Sequence, residues 1–223
     1  MPRNSRYNAA HRKIHRPSWG NNMSIKIFGI PGSRADRSLW AIEETGIEYE
    51  HIKTNFGEDS KSSDFLSVNP NGRIPALVDD DLQLCESMAI NLYLAKHYAP
   101  NLYPTNAKEE ALTHQWSVWG ISEIEPLQMQ IVIQKFFVPK ENQDQTVVDN
   151  ATKSLNRPLS VLDQSLEGRE YLMGDHFQIA DLNVASVMLL TAAVKVDLTE
   201  FKNVSQWLDR CHSRPALKRA QAL

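Results

Sequence analysis

The segment Asn69-Pro70-Asn71-Gly72-Arg73-Ile74-Pro75-Ala76-Leu77-Val78, followed closely by Leu84-Cys85-Glu86-Ser87, restricts the possible folds of this chain more than any other stretch. A turn runs into a short apolar strand with a proline at its start, and a second short strand ends in an acid and a hydroxyl. Proline has no N–H to give a ladder, so within sheets it stands at an edge, a first position or a bulge. The backbone groups of Ile74 are therefore expected to be free to bond something other than their own sheet. Glu86-Ser87 opens a helical pattern, and a helix N-terminus presents unpaired N–H groups to an anion. A strand margin beside an anion site suits an extended peptide that carries a carboxylate.

The surrounding pattern places this pair of strands in a small α/β unit. Ile25–Ile30 alternates and reads as a strand, broken by Pro31-Gly32; a helix starts at Ser33-Arg34-Ala35-Asp36 and runs to about Thr45, with Gly46 as its stop. Tyr49–Lys53 reads as the second strand, 57–63 as a polar connection, 75–78 and 82–85 as strands three and four, and Ser87–His97 as a helix. After the Pro-rich connection 99–104 no strand pattern appears. Helical segments are expected at about 107–124, 144–167, 180–195 and 204–211, with Leu155, Leu159, Leu162 and Leu166 forming one buried face. A βαβ–ββα unit followed by helices alone is an α/β thioredoxin-like first domain with an all-α second domain.

Composition narrows the function classes. With 223 residues and 42% hydrophobic content the chain can build real cores, and no apolar run approaches the roughly 20 residues that span a bilayer. Two distant cysteines, Cys85 and Cys211, make no disulfide framework and suit a reducing compartment, hence a cytoplasmic protein. The seven histidines show no HExxH spacing, and no metal is expected. Five of the 24 Lys/Arg but none of the 27 Asp/Glu lie in residues 1–22, so the remainder carries a net charge of −8. That acidic body argues against nucleic acid as a partner. Residues 1–22 read as a basic leader or upstream extension ahead of a start at Met23.

Residues 71–95, NGRIPALVDDDLQLCESMAINLYLA, resemble the glutathione-binding half of the glutathione transferase superfamily, and the resemblance extends from about Ile25 to about Ala220. It implies a thioredoxin-like glutathione-binding domain at 23–99 and a helical domain at 107–223 lining an electrophile site. It implies further that Pro75 is cis, that the backbone of Ile74 pairs with the cysteinyl part of glutathione, and that Glu86 and Ser87 hold the γ-glutamyl end. Arg73 matches a position where relatives place a basic residue that reaches glutathione.

Ser33 occupies the turn where the serine-using branches hydrogen-bond the glutathione sulfur, and Ser33-x-x-x-Arg37 is similar to the serine-plus-arginine arrangement of theta-like and related bacterial members. The same serine, with Asp36 three residues on, also reads as a capping box. Arg34 and Arg37 read either as solvated helix residues or as positive charge near the sulfur or the glycyl carboxylate. Trp116 and Trp119, on one face of the first helix of the second domain, are the candidates for the electrophile pocket, although such a pair is also ordinary core.

The activity implied is conjugation of the glutathione thiolate to a small hydrophobic electrophile, a detoxifying reaction, with glutathione as co-substrate and a homodimer as the assembly. Peroxide reduction, dehalogenation and double-bond isomerisation draw on the same thiolate. A second class of reading is a glutathione-fold binding or scaffold protein without turnover. A thiol-disulfide oxidoreductase would need a cysteine near position 33, and none is there. One departure stands out: Gln178 replaces the usual Ser or Thr cap three residues before Asp181, and Gln caps poorly.

Overall fold

A computed structural model describes residues 25–223. The expected leader at 1–22 and the start at Met23 lie outside the described residues. Strand β1 (Ile25–Gly29) is followed by helix α1 (Ala35–Thr45), β2 (Tyr49–Lys53), α2 (Ser63–Val68), β3 (Ala76–Asp79), β4 (Leu82–Cys85) and α3 (Ser87–Tyr98). The sheet order is β2-β1-β3-β4, with β1 and β2 parallel and the other two pairings antiparallel. This is the expected thioredoxin-like unit. Its period-2 strand β1 buries Ile25 and Ile27, and α1 buries Leu39, Trp40 and Ile42 completely, with Trp40 stacked on Phe177 of the helical half.

The rest is helical, as expected: α4 (Ala107–Trp119), α5 (Glu125–Val132), α6 (Gln145–Ser165), α7 (Ile179–Val187), α8 (Leu189–Val194), α9 (Lys202–His212) and α10 (Pro215–Gln221). Every residue of α7 is buried, so it is the central helix around which the others pack. Leu155, Leu159, Leu162 and Leu166 form the buried face read from their spacing. No helix among the described residues is long and apolar enough to cross a membrane.

Several boundaries differ from expectation for physical reasons. The polar connection at 57–63 gives way to α2, whose start is capped by Ser62 Oγ accepting from the Phe65 N–H, a short-range signal in a stretch too brief for periodicity to show. The first long helix does not stop before Pro126. A π turn at Gly120–Ile124 re-phases the chain, and Pro126 falls in the opening turn of α5, where a missing N–H costs nothing. The helix expected at 180–195 breaks at Met188 into α7 and α8. The Gln178 Oε1 is buried without a hydrogen-bond partner, in keeping with its weakness as a cap, while Asp181 supplies its half by accepting from the Gln178 N–H at 3.0 Å.

Asp181 itself is structural. Fully buried, it accepts from the Leu172 N–H at 2.8 Å and the Trp207 Nε1–H at 2.9 Å and so ties α7 to α9 and to the chain before it. The two halves of the molecule are joined by a buried polar chain: Asn91 Nδ2 donates to Asn183 Oδ1 at 2.9 Å, Asn183 Nδ2 to Ser117 Oγ at 2.8 Å, and Ser117 Oγ to the Thr113 carbonyl at 2.7 Å.

Candidate active site

Strand register carries three sequence-distant motifs to one end of the sheet. β3 pairs with β4 through Ala76 and Cys85, so Ile74-Pro75 and Glu86-Ser87 stand at the same end of the sheet. β1 pairs with β3 through Phe28 and Ala76, which sets Ile30 beside Ile74. The turn carrying Ser33 therefore lies at the same end of the sheet as Ile74-Pro75 and Glu86-Ser87. Gly29 lets this happen: a Cβ there would lie 2.3 Å from that of Ala35, so only glycine allows the end of β1 to approach the start of α1 so closely.

The Ile74-Pro75 bond is cis. Neither the N–H nor the C=O of Ile74 has a hydrogen-bond partner among the described residues, and its side chain is buried. The preceding turn is held firmly. Asn69 Nδ2 donates to the Arg73 carbonyl, and Lys61 Nζ donates to the Gly72 carbonyl at 2.8 Å. Arg73 is exposed, with no partner for its guanidinium among the described residues.

Glu86 adopts φ +71° and ψ +112°, a backbone conformation that costs a non-glycine residue of order 1–3 kcal/mol and clusters at ligand sites. Its carboxylate is exposed and makes no hydrogen bond among the described residues. Ser87 opens α3, where the first N–H groups have no intrahelical acceptors. This end of the sheet thus offers one free backbone N–H and C=O at Ile74, one helix N-terminus, and a free acid at Glu86.

Ser33 is half-buried, and its hydroxyl is already bonded: it donates to the Ile30 carbonyl at 2.7 Å and accepts from the Ala35 N–H at 3.0 Å. The capping box read from Ser33 and Asp36 does not form. Ser33 lies one residue outside the helix cap, and the Asp36 carboxylate turns back to accept the Gly32 N–H at 3.0 and 3.1 Å. Arg37 is buried, whereas Arg34 keeps 52% of its side chain in solvent. Both donate to Glu125 at the start of α5, Arg37 Nη1 at 3.0 Å. Burial favours the neutral acid at Glu125, but the Arg37 and Arg34 guanidinium groups outweigh it and hold the carboxyl below its usual range. Sequence reading missed this acid as the partner of both arginines, since nothing local joins positions 88 and 91 residues apart.

Trp116 and Trp119 pack edge to face, ring centres 5.1 Å apart. Trp116 also lines an open cleft of about 660 Å³ between α4, the end of α6 and the chain at Arg169–Met173; none of Ser33, Ile74, Glu86 or Ser87 lines that cleft. The helical residue that reaches the Ser33 turn is Glu125. Cys85 is half-buried on β4, and Cys211 is buried, its thiol pushed well above the ordinary range chiefly by that burial.

Comparison with known proteins agrees with this architecture. Residues 23–96 match the glutathione S-transferase N-terminal domain, and residues 124–215 the glutathione S-transferase C-terminal domain. Glutathione S-transferase 1 of Zea mays is 33% identical over 208 residues, covering 89% of this chain and 96% of the relative. Glutathione S-transferase GstB of Escherichia coli K12 is 29% identical over 206 residues, covering 90% and 95%. A theta-class glutathione S-transferase from the citrus canker pathogen Xanthomonas axonopodis pv. citri, solved with glutathione bound, superposes with a TM-score of 0.82 at 29% identity, covering 91% of this chain and 99% of that one. The chain belongs to the glutathione S-transferase family.

Proposed function

We propose that this transferase binds glutathione across Ile74, Glu86 and Ser87, stabilises its thiolate with the Ser33 hydroxyl, and adds that thiolate to a small hydrophobic electrophile. The observation that carries the reading is the meeting, at one sheet end, of a free Ile74 backbone, a helix N-terminus at Ser87, a strained Glu86 and the Ser33 turn. Arg73 stands free beside them as a contact for the peptide's carboxylates.

A free thiol ionises near pKa 8.5, so little of it is thiolate at neutral pH. A serine has one proton to donate, and here it is given to the Ile30 carbonyl. When sulfur enters, the O–H turns to it while the oxygen keeps accepting from the Ala35 N–H. A neutral hydrogen bond worth about 1 kcal/mol is exchanged for a charged one worth about 1.5–3. The surplus of about 0.5–2 kcal/mol lowers the thiol pKa by about 0.4–1.5 units, at about 1.4 kcal/mol per unit. The N-terminus of α1 adds in the same direction. The thiolate then attacks the electrophilic carbon, the carbon–sulfur bond forms as the leaving group departs, and the proton has already passed to solvent.

The electrophile lies where the helical half meets the Ser33 turn. Of the two tryptophans, Trp119 is the nearer, about 9 Å of helical rise from Glu125, with Trp116 about 14 Å away. Trp119 serves as its aromatic wall, while Trp116 faces the separate cleft beside α6. A cytoplasmic homodimer, as in the family resemblance, is the assembly proposed.

The test is an ultraviolet titration of bound glutathione on the wild type and on Ser33→Ala. A thiol ionising below 8 in the wild type and near its free value in the variant supports the mechanism. Equal titration in the two proteins overturns the role of Ser33. Binding without any shift in the wild type favours glutathione binding without turnover.

A further inference from the structure

We infer that Asp36 is a positioning residue for the thiol site: its carboxylate, closed on the Gly32 N–H, sets the turn that aims the Ser33 hydroxyl. This rests on the reading of Ser33 above.

Four hydrogen bonds lock the turn. Ser33 Oγ donates to the Ile30 carbonyl and accepts from the Ala35 N–H; the Asp36 N–H donates to the Ser33 carbonyl at 3.1 Å; and the Gly32 N–H donates to both Asp36 oxygens at 3.1 and 3.0 Å. The first three bonds are made by Ser33 itself or reach its backbone. The last is the only side-chain anchor among them from outside the turn's own serine, and it fixes Gly32 at φ +78°, a conformation glycine adopts freely and would leave as freely. When the Ser33 proton turns from the Ile30 carbonyl to sulfur, the turn loses one of its bonds, and the Asp36 clamp is what keeps the serine oxygen in place. Preorganised donors act because they need no rearrangement at the moment of reaction.

The sign of the expected effect separates this role from a plain charge effect. Asp36 is half-buried, and burial pushes its carboxyl up to about 6, against the Gly32 N–H and Arg37, so it is anionic at neutral pH. Arg37 lies on its own helix, and Arg34, next to Ser33, is committed to Glu125 of α5. An anion near a thiol raises the thiol pKa. If charge were the whole contribution, its removal would lower that pKa. If Asp36 positions Ser33, its loss raises it.

Three variants test this, with the bound thiol titrated by ultraviolet absorbance and glutathione affinity measured by calorimetry. Asp36→Ala removes charge and clamp. The thiol pKa is expected to rise by about 0.5–1 unit, leaving about three- to tenfold less thiolate and a matching fall in kcat at little change in KM for glutathione. Asp36→Asn removes the charge but keeps an acceptor at the same place, and recovers most of that loss. Asp36→Glu keeps the charge but displaces it by a methylene, and raises the pKa as Ala does. Added to Ser33→Ala, Asp36→Ala produces no further rise, since there is no hydroxyl left to aim.

No rise in Asp36→Glu overturns the inference even if Asp36→Ala fails to fold. An additive effect in the double variant overturns it also. If Ser33→Ala alone leaves the pKa unchanged, the mechanism itself is wrong and the positioning role falls with it; if Ser33→Ala raises the pKa and no Asp36 variant does, only the positioning role falls.

Discussion

Removing the Glu125 carboxylate should destabilise the molecule through the charge it leaves behind. Arg37 has 4% of its side chain exposed and Glu125 10%, and they meet at 3.0 Å. Arg34, the second partner, is 52% exposed, so solvent screens it and its contribution is at most about 1 kcal/mol. The cost therefore comes from Arg37, which has no other acidic partner within salt-bridge reach among the described residues. Breaking a buried pair from one side costs about 3–5 kcal/mol, because the remaining charge is neither solvated nor paired. Glu125→Ala should show that full loss, and Glu125→Gln somewhat less, since an amide oxygen still accepts one N–H. Replacing both partners, Arg37→Leu with Glu125→Leu, should restore most of the stability.

The assay is urea unfolding at low salt, because guanidinium chloride screens the interaction under study. The pH dependence has a defined sign. The folded carboxyl lies below its ordinary value, so its contribution is complete above the unfolded pKa of about 4.3 and is lost as pH falls through the lower folded value. The variants should therefore converge with the wild type in acid. A Glu125→Ala protein within about 1 kcal/mol of wild type at pH 7 would refute the reasoning, as would a double variant weaker than either single one. Because Arg34 adjoins Ser33, a looser thiol site should accompany the loss.

Two other expectations concern stability. Asn183→Ala strips the buried chain that joins α3, α4 and α7, leaving the Asn91 amide N–H without its acceptor and the Ser117 oxygen without its donor; about 2–4 kcal/mol should be lost in urea unfolding, and a loss under about 1 would mean that water replaces the amide. Gln178→Ser puts a good cap at the start of α7 in place of a buried, unbonded amide oxygen and should raise stability by about 0.5–2 kcal/mol, measured as a higher urea midpoint; an unchanged midpoint would show the cap position to be already satisfied.

Much of the thioredoxin-like half was legible in the chain because its signals are local. The alternation of β1, the Pro31-Gly32 break, the stop at Gly46, the turn before Pro75 and the apolar face of α6 each depend on residues within a few positions of one another. Local reading failed where two local solutions competed. Ser33 and Asp36 have the spacing of a capping box, yet the Asp36 carboxylate found a donor at Gly32 instead, and the cap moved to Arg34. It failed also at Pro126, because a proline stops a helix in its interior but suits a first turn, and only the π turn before it decides which applies.

By itself, then, the sequence determined the order of strands and helices, the turn chemistry around Pro75 and the residue types at the sheet end, since propensity, capping and backbone restriction act between neighbours in the chain. Tertiary structure alone decided that Ile74, Glu86 and the Ser33 turn share one end of the sheet, through register between strands some 50 residues apart. It alone decided that Arg34 and Arg37 belong to Glu125, and that Asn91, Asn183 and Ser117 satisfy one another in the interior. The reason is that the partner of a buried charge or amide is chosen by burial: once water is excluded, an unpaired polar group is too costly to keep, and the group that pairs with it can lie anywhere along the chain.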